Sequence, residues 1–102
     1  VAISESEKKL LLKLIAGDLA KSRLKRGVKL NYEESVALIT YEIIDGASEG
    51  LSAERLIERG RSVLRKDQVM RGIAEQISEL KVEAIFPDGA QLITVPSPIS
   101  GN

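Results

Sequence analysis

The sequence predicts an α+β protein, mainly α, in which a small helical bundle is followed by a C-terminal β-hairpin. Three observations predict it. Apolar residues recur at helical spacing through the first two-thirds of the chain, and the candidate helices open on capping residues. From Lys81 the pattern then changes to period two around a Pro-Asp-Gly turn.

The first helix is predicted to start after Ser4, because Ser4 and Glu7 have the spacing of a capping box. Leu12, Ile15, Ala16 and Leu19 follow at i, i+3, i+4 and i+7, the spacing of one buried face, and Leu10, Leu11 and Leu14 widen it. Lys25, Arg26 and Gly27 make a C-terminal stop, with cations against the negative helix end.

A second helix is predicted from Asn31, with Glu34 completing another capping pattern. Tyr32, Val36, Ile39 and Ile43 cluster on one side of it, and Ala37, Tyr41 and Ile44 lie well round from them. Apolar groups so cover more of the circumference than the stripe a surface helix needs. Either a partner subunit buries this helix or the chain's own elements wrap it. Gly46 and Gly50 mark its end.

Ser52 caps a third helix running to about Arg59, with Leu51 and Leu56 at hydrophobic-staple positions and Gly60 closing it. Arg61 to Leu64 reads as a connector. A short helical turn ending near Gly72 and another over Ile73 to Ser78 follow.

In the hairpin, Val82, Ala84 and Phe86 alternate with Lys81, Glu83 and Ile85. Pro87-Asp88-Gly89 supplies the turn and Leu92 to Val95 the return strand, which Pro96 and Pro98 end. A lone hairpin is not stable in water, so this one must pack on the helices or on a neighbouring chain. The tail to Asn102 is expected to be extended and loosely held unless a partner holds it. If a partner covers the second helix and the hairpin, its contacts fall on Tyr32, Val36, Ile39, Tyr41, Ile43, Ile44, Phe86, Leu92 and Ile93.

With 102 residues the chain is expected to form a single domain over 1–102, marginal on its own. It has neither cysteine nor histidine, which removes disulfides, thiolate sites, the commonest general base and the commonest nickel, zinc or copper ligand. Basic and acidic residues balance at 15 each, unlike the basic excess of a nucleic-acid binder. Arg55, Arg59, Arg61, Arg65 and Lys66 cluster, but Glu54, Glu58 and Asp67 are interleaved. A salt-bridged surface and an anion or RNA contact are the two readings of that cluster. No apolar run approaches the ~18 residues that span a bilayer, and no signal peptide is recognised, so a soluble, cytoplasmic protein is expected.

A search for chemistry finds little. Ser22 lies near Lys21 and Lys25, but on the polar side of a helix, where lysine is protonated. Glu5 with Glu7 and Glu33 with Glu34 sit at helix starts, where the dipole explains them better than catalysis does. No glycine-rich phosphate loop or EF-hand pattern occurs. No catalytic, cofactor-binding or metal residue is expected in this chain.

Three segments together resemble the urease gamma-subunit family. They are Glu7 to Leu19 with Gly27-Val28-Lys29-Leu30-Asn31-Tyr32; Glu34 to Ile39 continuing to Gly46-Ala47; and Asp67-Gln68-Val69-Met70 through Val82-Glu83-Ala84, Phe86-Pro87-Asp88-Gly89 and Leu92-Ile93-Thr94-Val95. The order and spacing match over nearly the whole chain. The resemblance implies a structural, non-catalytic subunit of the nickel enzyme that hydrolyses urea to ammonia and carbamate. It implies assembly with beta and alpha chains, commonly as a trimer of heterotrimers, with both nickel ions and the catalytic groups in the alpha chain. The sequence departs from the family at Pro96, where relatives often carry histidine, at Gln76 in place of methionine, and at Arg65-Lys66 in place of a threonine-like cap. A stand-alone interaction module of the same fold is the alternative.

Overall fold

Ser4 and Glu7 form the reciprocal cap that the sequence predicts. The Glu7 N–H donates to Ser4 Oγ and the Ser4 N–H to Glu7 Oε1, each at 3.1 Å. In this computed structural model, which describes residues 1–101, that cap opens α1, Glu5–Lys25. Gly27, at φ 79°, ends it as expected, with the Gly27 N–H on Leu24 O and the Val28 N–H on Arg23 O.

The second capping box starts α2, Tyr32–Ser48: the Glu34 N–H donates to Asn31 Oδ1 at 2.8 Å, and the Asn31 N–H to Glu34 Oε1 at 3.0 Å. The other Glu34 oxygen lies 2.9 Å from Arg23 Nη1. One carboxylate therefore caps α2 and ties it to the last turn of α1. Leu38, Ile39, Ile43 and Ala47 of α2 are buried, and α1, α3 and β1 all pack against the helix. Of the two explanations for its broad apolar surface, the chain's own neighbours account for these four residues.

Ser52 caps α3, Ala53–Gly60, accepting from the Arg55 N–H, and Leu56 is fully buried behind half-buried Leu51. Gly50, at φ 91°, ends α2, and Gly60 is the last residue of α3, as expected, but Gly46 does not act as a stop. Gly46 lies inside α2. A Cβ on Gly46 would come within 2.7 Å of Leu56 Cδ2, and one on Gly60 within 3.1 Å of Val95 Cγ2. Their smallness, rather than their backbone freedom, is what the packing of α3 on α2 and on the hairpin requires.

The connector holds a 3-10 turn, Lys66–Gln68, and a single helical turn α4, Ile73–Gln76, which follows Gly72 at φ 87°. Gln68 Oε1 accepts from the Arg65 N–H at 2.8 Å, so this turn is capped from its far side. Val69, expected in the helical turn, instead forms a parallel bridge with Leu30. The Leu30 N–H donates to Gln68 O and the Met70 N–H to Leu30 O, fastening the connector to the α1–α2 loop.

Strands β1, Glu79–Phe86, and β2, Gly89–Pro96, pair antiparallel from Phe86↔Gly89 to Glu79↔Pro96. The return strand is longer than Leu92 to Val95, because Gly89 pairs at once with Phe86 and Pro96 occupies the final register position. Val82, Ala84, Ile93 and Val95 face the core, whereas Ile85 and Leu92 face outward. The tail departs from expectation. Pro98 and Ile99 are buried, the Ser97 N–H donates to Ser78 O, and the Lys66 N–H donates to Gly101 O, each at 2.8 Å. Apolar burial and two backbone bonds hold a segment that its prolines alone suggested was loose; the expectation at Asn102 lies outside the described residues.

Candidate subunit interface

Helix α1 carries two apolar faces. Gly17 and Ala20 are buried, and Leu14 and Leu24 half-buried, on the side that meets α2. Leu11, Leu12, Ile15 and Leu19 centre on the opposite side of the helix, about 180° round from them at 100° per residue. Ile15 is 64 % exposed, Leu12 58 % and Leu19 54 %. The expected buried face, which included Leu10, Leu11, Leu12, Ile15, Ala16 and Leu19, is therefore solvent-facing in this chain. Steric reasons set the choice. A Cβ on Gly17 would overlap Tyr41 and come within 2.9 Å of Ala37 O, so the small-residue side alone lets the helices approach this closely. The spacing of Gly17, Ala20 and Leu24 (i, i+3, i+7) carried that signal, but the longer aliphatic residues masked it.

The outward face continues into an open groove between α1, α2 and β1. Leu12, Ala16, Tyr32, Val36, Ala37, Leu80 and Val82 line it, and Lys13, Glu33, Lys81 and Glu83 stand at its polar positions, around about 490 Å³. Tyr32 and Val36, predicted from sequence as contact residues, lie here. Leu92, also predicted, is 61 % exposed on the outer hairpin face, where Ile85 is exposed as well. Tyr41, Ile44 and Phe86 are half-buried. Ile39, Ile43 and Ile93 sit in the chain's own core and have no surface to give a partner, because α1, α3 and the hairpin already enclose them.

Charged groups of both signs share the surface. Arg59 meets Glu49 at 3.6 Å and Arg65 meets Asp67 at 3.1 Å, so two members of the basic cluster are paired with carboxylates. Glu7 is held below its ordinary carboxylate range by the Ser4 backbone N–H and then by the Ser4 hydroxyl, the chemistry of a helix cap. Ser22, Lys21 and Lys25 form no catalytic pair: the Lys21 amine lies 4.0 Å from Glu42 instead. Among the described residues no three His, Cys, Asp or Glu side chains gather as a metal group. No helix among them is long and apolar enough to cross a membrane.

The family described as urease, gamma subunit, matches residues 1–99. The chain belongs to the urease gamma-subunit family. It is 52 % identical to the urease subunit gamma of Methylocella silvestris over 97 residues, covering 95 % of this chain and 97 % of that one. It is 46 % identical over 98 residues to the urease subunit gamma of Prochlorococcus marinus subsp. pastoris, covering 96 % and 98 % of the two chains. Membership makes the chain a structural component of urease, a multi-subunit hydrolase acting on urea. The donor set of this gamma subunit does not fit nickel, which favours imidazole and thiolate ligands that the sequence lacks. No chemical step is therefore assigned to it.

Proposed function

We propose that this gamma subunit serves urease by offering the outward face of α1 and the adjoining groove to the larger chains. Its partners are the beta and alpha chains, arranged as a trimer of heterotrimers in the cytoplasm, and nickel is carried by the alpha chain. One observation carries the reading: Leu11, Leu12, Ile15 and Leu19 form a continuous aliphatic stripe facing away from the side of α1 that carries its buried residues. Contiguous exposed apolar surface rimmed by polar groups marks interaction sites. Removing such a side chain from water is worth ~1.5–3 kcal/mol. Tyr32 and Val36 extend the stripe across the groove, and Leu92 with Ile85 offers a second patch on the hairpin.

Such a subunit acts by covering and positioning its neighbours. The experiment is co-expression with the beta and alpha chains, scored by complex mass and nickel-dependent ammonia release. A large active complex containing this chain supports the proposal. Assembly and activity that proceed equally without it would leave the fold and the family but remove the role.

A further inference from the structure

Beyond β2 the chain bends, starting at Ser97. Ser97, between Pro96 and Pro98, has φ 42°, and it is the one non-glycine residue at positive φ among those described. A Cβ disfavours this left-handed conformation, and a following proline restricts the same residue further. Strain of this kind persists only where the surroundings enforce it. The enforcement is visible on both sides: the Ser97 N–H is bonded to Ser78 O, and beyond the bend Pro98 and Ile99 are buried. The segment then reaches the 3-10 turn, where Gly101 O accepts from the Lys66 N–H at 2.8 Å. A shallow cavity lined by Lys66, Ala74, Ile77, Ser78, Ser97 and Ile99 runs beside it.

We propose that Ser97–Gly101 is a releasable strap, hinged at Ser97, that opens without unfolding the rest of the chain. Opening frees the Lys66 N–H and uncovers the slot beside Ala74 and Ile77. It also unlinks the end of the hairpin from the 3-10 turn. Stored backbone strain favours the open form; beyond the Ser97–Ser78 bond at the hinge, buried Pro98 and Ile99 and the bond from the Lys66 N–H to Gly101 O hold the closed form.

Native-state hydrogen exchange on the full chain tests this, with the Ile43 amide of α2 reporting global opening. The Lys66 amide is expected to be at least about tenfold less protected than that of Ile43. Ser97→Gly relieves the strain, and Ser97→Asn does so without adding glycine's freedom to the unfolded chain. Each is expected to slow exchange at Lys66 about five- to thirtyfold relative to Ile43. Equal protection of Lys66 and Ile43 in the wild-type chain would overturn the proposal. So would variants that leave the ratio of the two unchanged.

Discussion

Gly17 of α1 and Tyr41 of α2 meet with no room for a Cβ between them, and the Ala37 carbonyl oxygen stands 2.9 Å from where that atom would lie. The contact decides which way α1 faces, and thereby which aliphatic residues are left for a partner. Gly17→Ala would gain ~1 kcal/mol of helix propensity. Against this, the new methyl group meets a side-chain Cβ and backbone, neither of which can swing away, and overpacking costs ~1–3 kcal/mol. The expected outcome is a net loss of stability in guanidinium denaturation, although alanine is the better helix former.

Ile43 is fully buried, and its Cδ1 lies 3.2 Å from where a Cβ on Gly60 would stand, at the junction of α2 with α3. Ile43→Ala should destabilise the chain by ~2–5 kcal/mol, the range for a truncated core aliphatic. The midpoint of denaturation measures it.

Ile15 is apolar too, yet it projects into solvent. Ile15→Lys on the isolated chain should change stability by no more than ~0.5 kcal/mol, as surface substitutions do. A loss comparable to that of Ile43→Ala in the same denaturation series would place Ile15 in the core instead.

The first helix should fray in acid through its cap. Glu7 titrates below its ordinary value because Ser4 hydrogen bonds favour the carboxylate. A depressed folded-state pKa contributes stability that is present above the unfolded value and lost as pH falls through the folded one. Helicity of the N-terminal turn should therefore decline from just below pH 4.5, the ordinary value for this group. In Glu7→Gln that acid-dependent component should disappear. Chemical shifts of the Ser4 and Glu7 amides across pH 6 to 3 report it.

The caps, stops and alternation that fix the elements are local, and so they can be read from the chain. Ser4–Glu7, Asn31–Glu34 and Ser52 start three helices where their spacing predicts, and Pro87-Asp88-Gly89 turns the hairpin. What could not be read depends on distant contacts. Gly46 looks like a stop until Leu56 is found against it. The Leu30–Val69 bridge joins residues remote in sequence, and the tail is held by Ser78 and Lys66, which no local pattern connects to it. The two faces of α1 are hard to tell apart for a related reason. Periodicity finds an apolar face but does not say whether that face meets the chain's own core, so it separates neither the exposed Leu12, Ile15 and Leu19 of α1 from a core face nor the buried Ile39, Ile43 and Ile93 from a surface one. The resemblance to urease gamma subunits rests on ordered motifs, which are legible without coordinates, and the family match over residues 1–99 agrees with it.

The most direct test of the outward face is co-purification with the urease beta and alpha chains from the same source, comparing the wild-type chain with Leu12→Lys/Ile15→Lys. Circular dichroism on the isolated double variant establishes that it folds. The account predicts that the wild-type chain enters the large complex and that the folded double variant is left out of it. A folded double variant that enters the complex as fully as the wild type would contradict the assignment of this face.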